Sequence, residues 1–380
     1  MAEDTVRPRK LLIAATVAKT LEAFLLPYAG YFRKQGWEVD AVAEGARSSA
    51  LCLQAFDNVW EVPWSRNPLA MANWRTLKQI RTIVEDREYD IVHVHTPIAG
   101  FITRIASRRA RRGKTRVVYT AHGFHFYRGG TPWRNFAFRQ AEKLAGRWTD
   151  RLVVINREDH SAAIQAQISD ESVLRYMPGI GVDIGQYRSA LAPCPPLQCG
   201  TDRAKGPIFL CIAEFIPRKR HADLLHAFAR MRNKTATLVL CGDGPLLESM
   251  RALASTLNIA GRTHFLGYRR DVPALLAACS AVVLCSEQEG LPRCIMEAMA
   301  AARPVIGTGI RGTLDLLEDG GGRLVPVGGI AELADALDWV TEFPDEARRA
   351  AEMGAQAVER YAIGAILRMH EELYGELLDG

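Results

Sequence analysis

"AVVLCSEQEGLPRCIMEAMA", residues 281–300, runs from an apolar stretch through a short polar loop into a helical pattern. "AVVLC" has the content of a buried strand and stops at Ser286. The pattern "PRCIMEAMAAA" opens on Pro292, a residue favoured at the first helical position, and continues with helix formers. Strand, loop and helix in that order are one step of a parallel α/β layer. Two acids bracket the junction, Glu289 in the loop and Glu297 in the second helical turn. On a continuous helix they would sit roughly 80° apart, so they are not a pair on one helix face. As loop plus helix they flank a helix start, where the N–H groups around Gly290, Leu291, Arg293 and Cys294 favour an anion such as a diphosphate. Pro292 supplies no N–H there. For an isolated pair of glutamates, a loop acid and a solvated helix acid remain the ordinary alternative.

The same step recurs in both directions. Upstream, "LLIAATVA", "WEVDAVA", "YDIVHVH", "TRVVYTAHG" and "DRLVVIN" alternate with amphipathic stretches; the rhythm restarts at "PIFLCIAEF" and continues through "ATLVLCGDG", "THFLGY", "RPVIGTG" and "GGRLVPV". Between the two series lies "LAPCPPLQCGTDRAKGP", rich in Pro and Gly and without period, the composition of a linker. At 380 residues the chain exceeds what one core usually holds. The expected division is a first domain over 1–195, a linker over 196–207, a second domain over 208–365, and a C-terminal helix over 366–380 returning to the first. Ligands of such sheets bind beyond the carboxyl ends of the strands, so two facing domains would line a cleft with strand-to-helix loops.

Composition narrows the function classes. A hydrophobic fraction of 48% with 24% charged residues describes a globular protein. Eight cysteines form no CxxC pair and read as free thiols of a reducing compartment. The opening "VRPRKLLIAATVAKT" reads as a first strand rather than a signal peptide, because its apolar run is short and Lys19, Glu22 and Pro27 prevent its extension. No stretch reaches the ~20 apolar residues of a membrane span. The net charge of +5 conceals an excess of +9 through residue 190, where 28 Lys and Arg face 19 Asp and Glu. Arg104, Arg108, Arg109, Arg111 and Arg112 concentrate along a helix and its exit. They are either a solvated face or a surface that meets an anionic bilayer, where each basic group contributes about 1 kcal/mol. Nucleic acid fits less well, since no recognition module accompanies the charge.

The arrangement S-x-x-E-G-x-x-x-x-x-x-E-A-M-A followed by P-V-I resembles the signature of the retaining family 4 glycosyltransferases. Resemblance extends over "AEFIPRKRHADLLHAF" (213–228), "LCGDGPLLESM" (240–250), "HFLGYRRDVPALLAACSAVVLCS" (264–286) and "RGTLDLLEDGGGRLVPVG". In the first half, "IVHVHTPIAGF" and "YTAHGFHF" are similar to the subgroup that builds bacterial capsular and exopolysaccharides. The resemblance implies an α/β protein of two facing Rossmann-like domains, the GT-B architecture, with an interdomain cleft.

It also implies roles. Glu297 would bond the ribose hydroxyls of a nucleotide sugar, Glu289 the hydroxyls of the transferred sugar, and Lys219 the diphosphate. Gly242 belongs to the Gly-Asp-Gly-Pro turn of the donor side. Where many members carry Gly-Arg before the lysine, this chain has Ala213 and Glu214; Arg218 or Arg220 either replaces that arginine or is a solvated charge. His122, at the end of a strand-like run, matches a histidine that approaches the donor sugar. In place of paired glycines after the first strand stand Thr16, Lys19 and Thr20, either acceptor contacts or ordinary loop residues. His93 and His95 share a strand face but lack further metal ligands at diagnostic spacing, and no zinc or other cofactor is expected.

The function implied is retaining transfer of a hexosyl group from a nucleoside diphosphate sugar, UDP by expectation, to a hydroxyl of a polyprenyl diphosphate-linked saccharide. Such an enzyme would work in the cytoplasm, peripherally on the inner face of the plasma membrane. The alternatives are a nucleotide-sugar 2-epimerase on the same fold, or an inactive sugar-nucleotide-binding assembly protein.

Overall fold

Thirteen strands carry the described part of the chain, which in this computed structural model comprises residues 7–65, 71–127, 129–189 and 206–379. The first seven are β1 (Lys10–Val17), β2 (Glu38–Glu44), β3 (Val59–Trp60), β4 (Ile91–His95), β5 (Arg116–Ala121), β6 (Arg151–Val154) and β7 (Leu174–Tyr176). They form one sheet in the order β3-β2-β1-β4-β5-β6-β7, every pair parallel. The chain winds outward from β1 on one side and then returns to start again at β4, so the carboxyl ends of β1 and β4 mark the switch point where such sheets bind ligands. All five residues of β4 are buried, as expected of a central parallel strand covered on both faces.

The other six are β8 (Ile208–Ile212), β9 (Thr237–Cys241), β10 (Thr263–Gly267), β11 (Ala281–Leu284), β12 (Val305–Thr308) and β13 (Gly322–Val325), in the order β10-β9-β8-β11-β12-β13. Their pairings are again all parallel. Each sheet therefore has the Rossmann-like winding, and all the strands expected from the apolar runs are present. β3 and β7, two and three residues long, are additions at the sheet edges.

Contacts divide the chain into a first unit, Met1–Ile180 with Ala365–Gly380, and a second, Gly181–Gly364. The crossover thus lies upstream of the boundary at 195. Val182 bridges to Ala362, and Tyr187 bonds to Glu297, so residues 181–189 pack with the second unit although they precede the proline-rich stretch. Composition marks where a chain is irregular, not where its contacts change partner. Most of the expected linker, residues 196–205, lies outside the described residues.

A second correction concerns Arg104. The Pro97–Ser107 helix turns this side chain inward, where it is 1% exposed. Its guanidinium lies 4.0 Å from the centre of the Tyr119 ring and donates to Gly100 O (2.9 Å) and to Glu142 Oε2 (2.8 Å) on the Pro132–Gly146 helix. Arg104 ties two helices to the sheet and is no surface charge. Arg111 is half-buried against Asp150 at 2.9 Å, and Arg108, Arg109 and Arg112 are exposed.

Candidate active site

In the second unit, the loop after β11 delivers Glu289, and the Arg293–Ala300 helix delivers Glu297. Pro292 is the cap of that helix rather than its first residue. Its φ of −72° suits a helix but its ψ of 114° is extended, and its carbonyl already accepts from Ile295 N at 3.1 Å. No side chain caps this start.

Each acid has its own cation. Glu289 forms an ion pair with Lys219, and Arg218 Nη1 stands 3.7 Å from its other oxygen. Lys219 ends the Pro217–Lys219 turn that follows β8. Arg220 then adopts a left-handed φ of 51° and starts the His221–Arg230 helix. The turn is held from three sides: Glu287 N donates to Arg218 O (2.9 Å), Arg218 Nη1 to Gln288 O (3.1 Å), and Arg220 Nε to Asp223 Oδ2 (2.6 Å). Gly242 packs on the segment that leads into the turn, at Ala213 and Glu214. With φ at 148°, it brings the turn after β9 so close that an added Cβ would stand 2.0 Å from Ala213 O. Only glycine allows that approach.

Glu297 is buried at 6% exposure and accepts from Tyr187 Oη at 2.6 Å, with Arg293 Nε at 2.8 Å. Burial raises its pKa, against the lowering pull of Arg293 and the Tyr187 hydrogen bond. Tyr187 is itself pushed up by burial and by the carboxylate it faces. Cys294 lies between the two acids: burial raises its thiol pKa, Lys219 lowers it, and Glu289 and Glu297 both raise it. Both ion pairs therefore converge on one helix start. A fourth cation, Arg311, joins the loop backbone, where its Nε donates to Glu289 O at 2.8 Å. Gly312 beside it, at φ 74°, passes so near that a Cβ would stand 2.0 Å from Gly290 O.

Chemically, the second unit presents an uncapped helix start, a lysine and an arginine beside one carboxylate, and a second, buried carboxylate. That set suits a ligand with anionic oxygens at one point and hydroxyls at two others. In the first unit, His122 follows β5, with its Nε2 2.9 Å from His95 Nδ1. Burial lowers its pKa to about 4. Thr16, at the end of β1, bonds through its hydroxyl to Thr96 Oγ1 at 2.6 Å. Thr96 has φ 69° and ψ 144°, a costly conformation for a β-branched residue, and it precedes a proline. Lys19 is exposed and Thr20 partly so.

A sequence profile described as Glycosyltransferase Family 4 matches residues 21–176, and one described as Glycosyl transferases group 1 matches residues 201–357. EpsD of Bacillus subtilis (strain 168), provisionally named a glycosyltransferase, is 31% identical over 98% of this chain and 97% of its own length. The chain is a family 4 glycosyltransferase. An Escherichia coli relative named UDP-Gal:alpha-D-GlcNAc-diphosphoundecaprenol alpha-1,3-galactosyltransferase is 28% identical over 73% of each chain. Among solved structures, Anabaena Alr3699/HepE in complex with UDP and glucose superposes with a TM-score of 0.80 at 24% identity, covering 97% of this chain and 100% of that one. This likeness is one of fold, and places the two Rossmann-like domains of this glycosyltransferase within the GT-B class.

Of the residues singled out in the sequence, the structure gathers Glu289, Lys219, Arg218, Gly290, Leu291, Arg293, Cys294 and Glu297 in the second unit, with Gly242 packed on Ala213 and Glu214. In the first unit, His122 follows β5 and Thr16 ends β1; no hydrogen bond or ion pair holds Lys19 among the described residues. Sequence reasoning passes over Tyr187, Arg311 and Thr96. Only Thr96 carries a local signal, the Thr-Pro step at the end of an apolar run.

Proposed function

We propose that this glycosyltransferase moves a hexosyl group, with retention of anomeric configuration, from a UDP-sugar to a hydroxyl of a lipid-linked saccharide during capsular or exopolysaccharide synthesis. The observation that carries the proposal is the Lys219–Glu289 ion pair beside the uncapped helix that bears Glu297. In this reading the diphosphate takes Lys219, Arg218 and the helix start. Glu289 turns from its lysine to the sugar hydroxyls, and Glu297 holds the ribose. As the sugar–oxygen bond breaks, negative charge grows on the departing diphosphate, where Lys219 stabilises it most. The acceptor hydroxyl attacks from the face the nucleotide leaves and passes its proton to the diphosphate, so neither glutamate acts as a glycosidase-type acid or nucleophile. Protein cations meet the diphosphate charge, so turnover is expected to persist in EDTA.

The lipid-linked acceptor is supported by the substrate named for the E. coli relative. Attachment to the membrane would be peripheral, since among the described residues no helix is long and apolar enough to cross one. Arg104 is buried, while Arg108, Arg109 and Arg112 stay exposed, and a second face fits the same role. The Pro132–Gly146 helix exposes Trp133, Phe136 and Leu144 along one stripe, with Arg134 on one flank and Arg139 and Lys143 on the other.

The deciding experiment incubates purified protein with UDP-, GDP- and dTDP-sugars, with and without undecaprenyl-diphosphate-linked saccharides. UDP release that depends on acceptor, with an α-configured product by NMR from an α-linked donor, supports the proposal. Release of UDP or an epimerised sugar without acceptor would overturn it.

A further inference from the structure

A file of buried histidines leads away from His122. His95, in β4 and 1% exposed, places Nδ1 2.9 Å from His122 Nε2, with ring centres 5.2 Å apart. On its other side the His93 ring lies 4.2 Å away, and His93 stacks in turn on His370 at 5.5 Å. His93 is fully engaged: Nδ1 is 2.6 Å from the Tyr374 hydroxyl and Nε2 is 2.7 Å from Thr120 Oγ1. His95 is not. Its Nε2 is buried without a hydrogen-bond partner among the described residues.

Two neutral imidazoles can share one N···N hydrogen bond in only two ways. If His122 donates from Nε2, His95 must carry its own proton on Nε2, which leaves a buried N–H with no acceptor. If His95 donates from Nδ1, its Nε2 is a bare lone pair and the His122 proton moves to Nδ1 of that partly buried ring. An orphaned buried N–H is the rarer arrangement in folded proteins, which favours the second choice. Burial lowers the pKa of both rings, consistent with two neutral partners near pH 7.

We infer that His95 is a positioning residue that fixes His122 in the Nδ1–H tautomer, so that His122 meets the substrate as a hydrogen-bond donor. The inference rests on the proposed transfer and on the role that the family resemblance implies for His122, an approach to the donor sugar. A ring in this state offers its proton to a hydroxyl oxygen and has no free lone pair with which to deprotonate the acceptor. It thus deepens the reading in which the diphosphate, not the protein, takes the proton.

The tautomer is measurable without activity. Long-range 1H–15N correlation on the full chain labelled with 15N-histidine, with signals assigned through His95→Asn and His122→Gln, should show His122 protonated at Nδ1 and bare at Nε2. The reverse pattern overturns the inference. In kinetics, His95→Phe should lower kcat/KM by about tenfold or more, while His95→Asn, whose amide can place an N–H where Nδ1 stood, should recover most of it. Wild-type kinetics in His95→Phe would also overturn it. Should His95→Phe fail to fold, the wild-type tautomer and the asparagine variant still decide. Absence of acceptor-dependent UDP release would defeat the proposed function and leave the tautomer reading standing or falling by itself.

Discussion

Glu289 and Glu297 stand eight positions apart and differ in what holds them. Glu289 is a loop carboxylate tied to a lysine that the donor must win over, and its proposed contact is with the reacting sugar. Glu289→Gln keeps the shape and removes the charge, so transfer should fall by about 100-fold or more with the circular dichroism spectrum unchanged. Near-normal turnover would remove the acid from the mechanism. Glu297 is a buried carboxylate whose oxygen is fixed by Tyr187 at 2.6 Å. Tyr187→Phe leaves that oxygen to Arg293 alone, and a hydrogen bond to a charged group is worth about 1.5–3 kcal/mol, so donor KM should rise by roughly tenfold with kcat nearly kept. The two acids were legible because each sits in a contiguous pattern of strand, loop and helix. Tyr187 and Arg311 were not, because their contacts come from segments distant in the chain, and the stretch that begins at Arg311 carries a resemblance without naming the residue it meets.

At the scale of elements, apolar runs located the long strands but not β3 and β7, which are too short to show a period. Charge proved a poorer guide than apolar spacing. Arg104 belongs to the same basic run as Arg108, yet Arg104 lies within the Pro97–Ser107 helix and packs on Tyr119, whereas Arg108 is the cap beyond the end of that helix and is exposed. Arg104→Ala leaves Glu142 without its buried partner and should cost about 3–5 kcal/mol in denaturant unfolding. Replacing Trp133 and Phe136 together by serine should leave stability within about 0.5 kcal/mol, since both are exposed. It should weaken binding to phosphatidylglycerol vesicles by at least about tenfold in flotation assays, because buried aromatic area and flanking cations act together at an anionic interface. Undiminished flotation would remove the Pro132–Gly146 helix from the membrane contact, and loss of a dimer in light scattering would assign the stripe to a second copy of the chain instead.

Taken whole, the two units repeat one winding but distribute their titratable groups unequally. His93, His95 and His370 are buried in the first unit beside the partly buried His122, and all four have lowered pKa values, His122 and His370 to about 4. In the second, His221 is similarly lowered, by burial and then by Lys219. A histidine whose folded pKa lies below its unfolded value of 6.5 contributes stability that is fully present above pH 6.5 and is lost as pH falls toward the folded value. Between pH 7 and pH 5 the first unit should therefore lose more melting temperature than the second. Calorimetry can separate them with UDP, which is expected to raise only the second transition. Equal losses would show that these histidines do not govern acid stability. The repeated winding was legible in the alternation of runs, whereas the histidine file depends on residue 370 meeting residue 93, a pairing no local pattern encodes. The Ile363–Asp379 helix has a further consequence on the ribosome. The first unit is mostly translated before the second, but His370 and Tyr374, which complete its core around His93, emerge last. The half of the enzyme that is made first is thus finished second, and a chain halted before residue 365 would hold all of the second unit's residues while the first unit stayed unclosed.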